Sequence, residues 1–238
     1  SILILSIITI VIFLVLQDRL NLSDAWASLI SGYALYIIPL ALIIWILRGT
    51  KYSITAIFER DSAEISQIAM VIPLLTISIS VVWMIVFILN LFDVETAESY
   101  LNWISNIEIF ELGPETSLLQ YALIFGNIAI LAPLVEEIIF RGIMIERLGA
   151  KYSYGWAIGI SSVIFGLLHA NPSGAFIFGV FLSLIYLKTE SLTAPILIHI
   201  TNNAFATNMM FADEKFSFGF GNWETVEPYI TNAWIGIL

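Results

Sequence analysis

The sequence predicts an all-α fold, a polytopic transmembrane bundle of about seven to eight helical spans, and three observations lead there. Of 238 residues, 59% are hydrophobic and only 12% charged, with a mean hydropathy of +0.94. An ordinary soluble domain carries roughly twice that share of charge, and a chain this small cannot hide so much apolar side chain from water, so lipid must be the solvent for much of its surface. The apolar residues fall into long runs broken by short polar segments. The few ionisable residues inside those runs are gathered into three of them. Composition also excludes other classes. Abundant aromatics (13%) argue against disorder, and a net charge of −10 would repel a nucleic-acid backbone, so no nucleic-acid partner is expected. With no cysteine there is neither a disulfide nor a thiolate metal site, and histidine chemistry must draw on two residues.

The runs, in order, are Ile2–Leu16, Ala25–Leu47, Ile68–Phe92, Leu118–Met144, Tyr154–His169, Ser173–Leu187 and Leu192–Phe211, with an eighth starting near Tyr229. A spanning helix needs about 20 mostly apolar residues, roughly 17–25, which the second, third, fourth and seventh runs meet outright. The fifth and sixth are shorter, as suits helices inside a bundle. Ile2–Leu16 lacks the basic start and small-residue cleavage site of a signal peptide. Ser1 and Leu238 both fall in hydrophobic sequence, so both ends read as trimmed helices. Pro172, just after His169, should end the fifth helix at that histidine, and Pro133 should loosen the fourth helix and make room for water beside Glu136.

Loop charge sets the orientation. Arg48, Lys51, Arg60, Arg147, Lys151 and Lys188 fall on one side and Arg19 and Lys215 on the other, which places the N-terminus in the cytoplasm and the protein in the cell membrane as a multi-pass protein. The third loop, with Asp93, Glu95, Glu98, Glu108, Glu111 and Glu115, then lies outside and reads as a solvated acidic connector. Three segments are expected: N-terminal helices and acidic loop over 1–116, a helix core over 117–211, and a polar loop with the start of a final helix over 212–238.

The groups that lipid tolerates poorly are Glu136, Glu137 and Arg141 in the fourth run, His169 at the end of the fifth, and His199, Asn202 and Asn203 in the seventh. Such groups mark a functional site facing the bundle interior. Glu137 and Arg141, four apart, share a helix face and can neutralise each other. Glu136 points about 100° away and is left unpaired, as a general base would be. Phe165 and His169, and likewise His199 and Asn203, lie one turn apart. One carboxylate and two imidazoles from three helices can activate water in two ways. Glu136 and His169 can deprotonate it, with His199 and Asn203 donating to the oxyanion. Alternatively Glu136, His169 and His199 can hold zinc. Ser161, Ser162 and Ser173 read as packing or capping residues.

APLVEEIIFRG carries an EExxxR motif (Glu136, Glu137, Arg141), FGLLH an FxxxH motif (Phe165, His169) and HITNN an HxxxN motif (His199, Asn203). In this order on successive hydrophobic helices they resemble the CPBP family: CAAX proteases and bacteriocin-processing enzymes, also called Abi, which includes the type II CAAX prenyl endopeptidases. The resemblance covers roughly Ser117–Phe211. It implies an intramembrane endopeptidase with Glu136 as general base, His169 assisting, His199 and Asn203 as oxyanion stabilisers, and Glu137, Arg141 and Phe165 in support. The partners would be membrane lipids and a membrane-associated protein or peptide substrate, CAAX-type prenylated proteins among the options. The family has been called metalloprotease; no metal is assigned here, and the metal-free route is favoured because Asn203 beside His199 resembles an oxyanion donor. The alternatives are a non-catalytic scaffold or bacteriocin-immunity protein of the same fold and, further off, an ion-coupled transporter.

Overall fold

The structure is a computed structural model that describes residues 24–48, 69–105 and 116–216. Within them every regular element is helical. We number them α1 (Asp24–Leu47), α2 (Val71–Phe92), α3 (Val94–Ser105), α4 (Leu118–Lys151), α5 (Tyr154–Leu167), α6 (Pro172–Thr189) and α7 (Thr193–Phe216). Among the described residues, α1, α2, α4 and α6 are long and apolar enough to cross a membrane, and the 14-residue α5 is apolar but shorter. The protein is an all-α membrane bundle. The expected spans at Ile2–Leu16 and beyond Tyr229 lie outside the described residues.

Helix boundaries follow local chemistry. Ser117 opens α4 with a reciprocal cap: its Oγ accepts from Gln120 N–H and its own N–H donates to Gln120 Oε1 at 2.8 Å. Ser153 caps α5, and Asn171 caps α6 through Gly174 N–H, with Pro172 in the first turn where its missing N–H costs nothing. α5 ends two residues before His169, in a tight turn whose last bond runs from His169 N–H to Gly166 O at 3.0 Å. α6 ends on Glu190 at φ 51°, in the left-handed region.

One expectation needs correcting. The acidic stretch after α2 is not simply a solvated connector: Val94–Ser105 is the amphipathic helix α3. Ala97 and Leu101 are fully buried against Val82, Trp83 and Val86 of α2, while Glu95 stays exposed. Asp93 starts α3 by accepting from Thr96 N–H and Oγ1, at 2.9 and 2.7 Å. Those bonds, the Oγ1 one foremost, hold its carboxyl below the ordinary 3.8. The apolar stripe Ala97, Tyr100, Leu101 and Ile104 has helical spacing, but Glu95 and Glu98 at its start hide it. Glu108, Glu111 and Glu115 lie outside the described residues.

α4 is 34 residues long and irregular. Two π-helical segments, Gly126–Leu131 and Ile138–Ile145, flank the α-helical turn Ala132–Glu137. The loosening expected at Pro133 is found on its N-terminal side. Ala132 N–H bonds five residues back, to Asn127 O, and in that register the bond that Pro133 cannot donate would have gone to Ile128 O. Asn203 of α7 supplies it: its Nδ2 donates to Ile128 O at 3.0 Å.

α5 and α6 pack closely because small residues meet between them. A Cβ on Gly179 would stand 3.2 Å from Ser162 Cβ, and one on Gly166 would stand 2.6 Å from Pro172 O. Ser161 and Ser162 are fully buried, as packing residues should be. Two core clusters meet α4: Ile138 and Ile145 pack with Ala157, Leu192 and Ile196, and Phe140 packs with Phe165, Phe178, Leu182 and Ile198.

Candidate active site

The middle turn of α4, the end of α5 and the second turn of α7 converge, and with them the residues that the sequence singled out. Glu136 and Glu137 leave α4 in different directions, as their 100° offset requires. Glu137 and Arg141 are both 0% exposed and joined by a 2.8 Å ion pair from Nη1 to Oε1. The expected neutralising pair is present and does more than neutralise. The same Glu137 oxygen lies 2.7 Å from His199 Nδ1, so one buried carboxylate ties α7 to α4. Arg141 Nη2 donates to Gly179 O of α6 at 3.0 Å, and its guanidinium carbon sits 4.7 Å from the centre of the Phe165 ring.

Phe165 is the hub of the aromatic packing. Its ring lies 4.2 Å from the His169 ring, 5.1 Å from Phe140 and 5.8 Å from His199, centre to centre. Its carbonyl accepts from His169 Nδ1 at 2.6 Å. Phe178 of α6 presses edge-on against His199 at 5.2 Å. Each imidazole is thereby fixed in plane and in orientation.

Those partners also fix the tautomers. A carbonyl and an ion-paired carboxylate oxygen are acceptors, so both Nδ1 atoms carry hydrogen and both Nε2 atoms bear a lone pair when the rings are neutral. Both Nε2 atoms face Glu136 Oε2, at 3.6 Å from His169 and 3.8 Å from His199. These gaps are too long for direct hydrogen bonds, and Oε2 is buried without a hydrogen-bond partner. Exposure is graded across the site: the side chain of His199 is 2% exposed, Glu136 13% and His169 31%. The set is reached from the His169 side.

Glu136 is not unpaired, as the sequence had suggested. Tyr36 of α1 donates its hydroxyl to Glu136 Oε1 at 2.9 Å. No motif contains Tyr36, and a tyrosine in an apolar run carries no signal of its own. Gly179 and Phe178 were likewise outside the residues singled out. Asn203 lies one turn beyond His199, as the spacing demanded; one of its amide hydrogens is committed to Ile128 O, and its Oδ1 accepts from Asn202. Ser173 takes part in the cap that starts α6, donating to Asn171 Oδ1 at 3.0 Å.

Zinc is the metal that the resemblance brings with it, and two imidazole nitrogens with a carboxylate oxygen are ligands it accepts. Tetrahedral ligands about 2.0–2.1 Å from zinc stand about 3.3 Å apart; Oε2 stands 3.6 and 3.8 Å from the two nitrogens. Among the described residues no three His, Asp or Glu side chains gather as a metal-holding group. The set does not fit zinc as it stands, and no step below runs through a metal.

Comparison with known proteins reaches the same helices. Residues 118–205 match the family model described as "Type II CAAX prenyl endopeptidase Rce1-like". A Bacillus subtilis (strain 168) protein named "Putative membrane peptidase YdiL" is 36% identical over 84 residues, 34% of this chain and 34% of that protein. The alignment thus spans about a third of the relative's length. No solved structure matches the chain significantly. The helices that carry the candidate site, residues 118–205, are thus similar to the Rce1-like type II CAAX prenyl endopeptidases, the likeness that their motifs had carried.

Proposed function

We propose that the protein is a multi-pass intramembrane endopeptidase of the cell membrane that hydrolyses a peptide bond in a membrane-associated protein or peptide. Water would be activated by Glu136 with His169. The observation that carries this is the buried, unpartnered Glu136 Oε2 facing two imidazole nitrogens at 3.6 and 3.8 Å. A carboxylate oxygen left without a partner beside two oriented imidazoles can accept a hydrogen bond from a water molecule next to them.

In the proposed reaction Glu136 Oε2 takes one proton from this water while the oxygen adds to the carbonyl carbon of the substrate. The carbonyl π electrons move to oxygen, and the oxyanion accepts from His199 Nε2–H and from the second amide hydrogen of Asn203. Collapse of the tetrahedral intermediate breaks the C–N bond, and the proton on Glu136 passes to the leaving nitrogen. Donation by His199 Nε2 requires the ring to carry both protons, with its Nδ1–H given to Glu137 Oε1 at 2.7 Å. General-base help of this kind contributes about 10²–10⁴-fold, and one oxyanion donor about 10²–10³-fold.

Substrates with a prenylated C-terminal CAAX sequence are one option within the family. Glu136→Gln keeps the side chain's shape and its hydrogen bond from Tyr36 but cannot accept the water's proton. It should abolish cleavage of membrane-extracted peptides by purified protein while expression and unfolding midpoint stay as in the wild type. Retained cleavage would overturn the proposal.

A further inference from the structure

α1 lies outside the segment that matches the family model, yet it touches the proposed base. Two tyrosines one turn apart lean from α1 onto α4. Tyr33 Oη donates to the backbone carbonyl of Leu123 at 2.9 Å, and Tyr36 Oη donates to Glu136 Oε1, also at 2.9 Å. The first joins helix to helix through a main-chain atom. The second is the one hydrogen bond under 3.5 Å that the Glu136 carboxylate receives among the described residues.

A glutamate side chain has three rotatable bonds, and its two oxygens exchange by rotation of the terminal one. Without a partner on Oε1, nothing here distinguishes the oxygens or keeps the carboxylate plane aimed at the imidazoles. With Oε1 occupied by Tyr36, Oε2 is the oxygen left to face His169 and His199. Both proline interruptions lie near this contact: Pro39 stands three residues after Tyr36 inside α1, and Pro133 three residues before Glu136 in α4.

We propose that Tyr36 is a positioning residue of the site: its hydroxyl holds Glu136 Oε1 so that Oε2 stays aimed between the two imidazoles, where the attacking water must give up its proton. This rests on the peptidase reading above and extends the functional site to α1.

The test uses the full chain in lipid nanodiscs with Tyr36→Phe, Tyr33→Phe and Glu136→Gln. Release of peptides from a wild-type-digestible membrane protein extract is followed by mass spectrometry. Infrared difference spectra against Glu136→Gln give the Glu136 carboxylate bands without substrate. A hydrogen bond to a charged group is worth enough that its loss should lower kcat of Tyr36→Phe about tenfold or more. KM and the unfolding midpoint should stay unchanged, and the Glu136 bands should shift. Tyr33→Phe should lower the midpoint, leave kcat alone and leave those bands in place. Wild-type kcat and unmoved bands in Tyr36→Phe would overturn the inference while leaving the peptidase reading intact. Equal losses of kcat, KM and midpoint in both tyrosine variants would also overturn it, making Tyr36 a packing residue. Cleavage by Glu136→Gln would instead sink the peptidase reading.

Discussion

Glu137→Gln separates the structural from the chemical work of the buried charges. The wild-type carboxylate is fully buried and receives Arg141 Nη1 at 2.8 Å and His199 Nδ1 at 2.7 Å on one oxygen. Gln keeps the volume and one acceptor oxygen but removes the charge, leaving a guanidinium at 0% exposure with only neutral acceptors, the Gln oxygen and Gly179 O. An uncompensated buried charge costs about 3–5 kcal/mol, and the retained neutral hydrogen bond offsets about 1 kcal/mol of it. The net loss should be about 2–4 kcal/mol, read from reversible unfolding by SDS in mixed micelles. Adding Arg141→Met removes the stranded cation and fills similar space, so the double variant should be more stable than Glu137→Gln alone by at least about 1 kcal/mol. Cleavage should stay low in both, because His199 has lost the charge behind its Nδ1. A single variant as stable as the wild type, or a double variant less stable than the single, would refute the reasoning.

Three further outcomes follow from particular contacts. Asn203→Ala leaves Ile128 O without its donor and should lower stability by about 1–2 kcal/mol in the same titration, besides slowing cleavage; Asn203→Asp, which cannot donate when ionised, should not restore it. Gly166→Ala places a Cβ 2.6 Å from Pro172 O, so the α5–α6 junction that carries His169 must shift; the variant should unfold earlier and cleave more slowly, whereas Gly159→Ala, with open space around it, should do neither. Exhaustive chelation should leave the cleavage rate of purified protein unchanged, and elemental analysis should find no stoichiometric metal; activity lost on chelation and restored by one equivalent of zinc would replace the water-bridged site with a metal centre.

The sequence showed what depended on periodicity and on the scarcity of charge in lipid. Ala25–Leu47, Ile68–Phe92 and Tyr154–His169 matched α1, α2 and α5 to within a few residues, because apolar runs have sharp polar ends. Glu136, Glu137, Arg141, His169 and His199 stood out because each is costly in an apolar helix, and helical spacing sorted which shared a face. α3 was hidden because its buried stripe is short and three acidic residues, Asp93, Glu95 and Glu98, crowd its start. Tyr36 was hidden because its partner is 100 positions away and a hydroxyl on an aromatic ring looks apolar in a run of Ile and Leu. Pro133 signalled a weakened helix, but that Asn203 would complete the freed carbonyl depended on how α7 packs against α4.

Cleavage in water enriched in oxygen-18, comparing membranes that contain the wild type with membranes that contain Glu136→Gln, tests the water-activating role of Glu136 most directly. New C-termini that carry one oxygen-18 should appear in the wild-type sample and be missing from the variant. Identical fragments in the two samples, or new C-termini without the label, would contradict it.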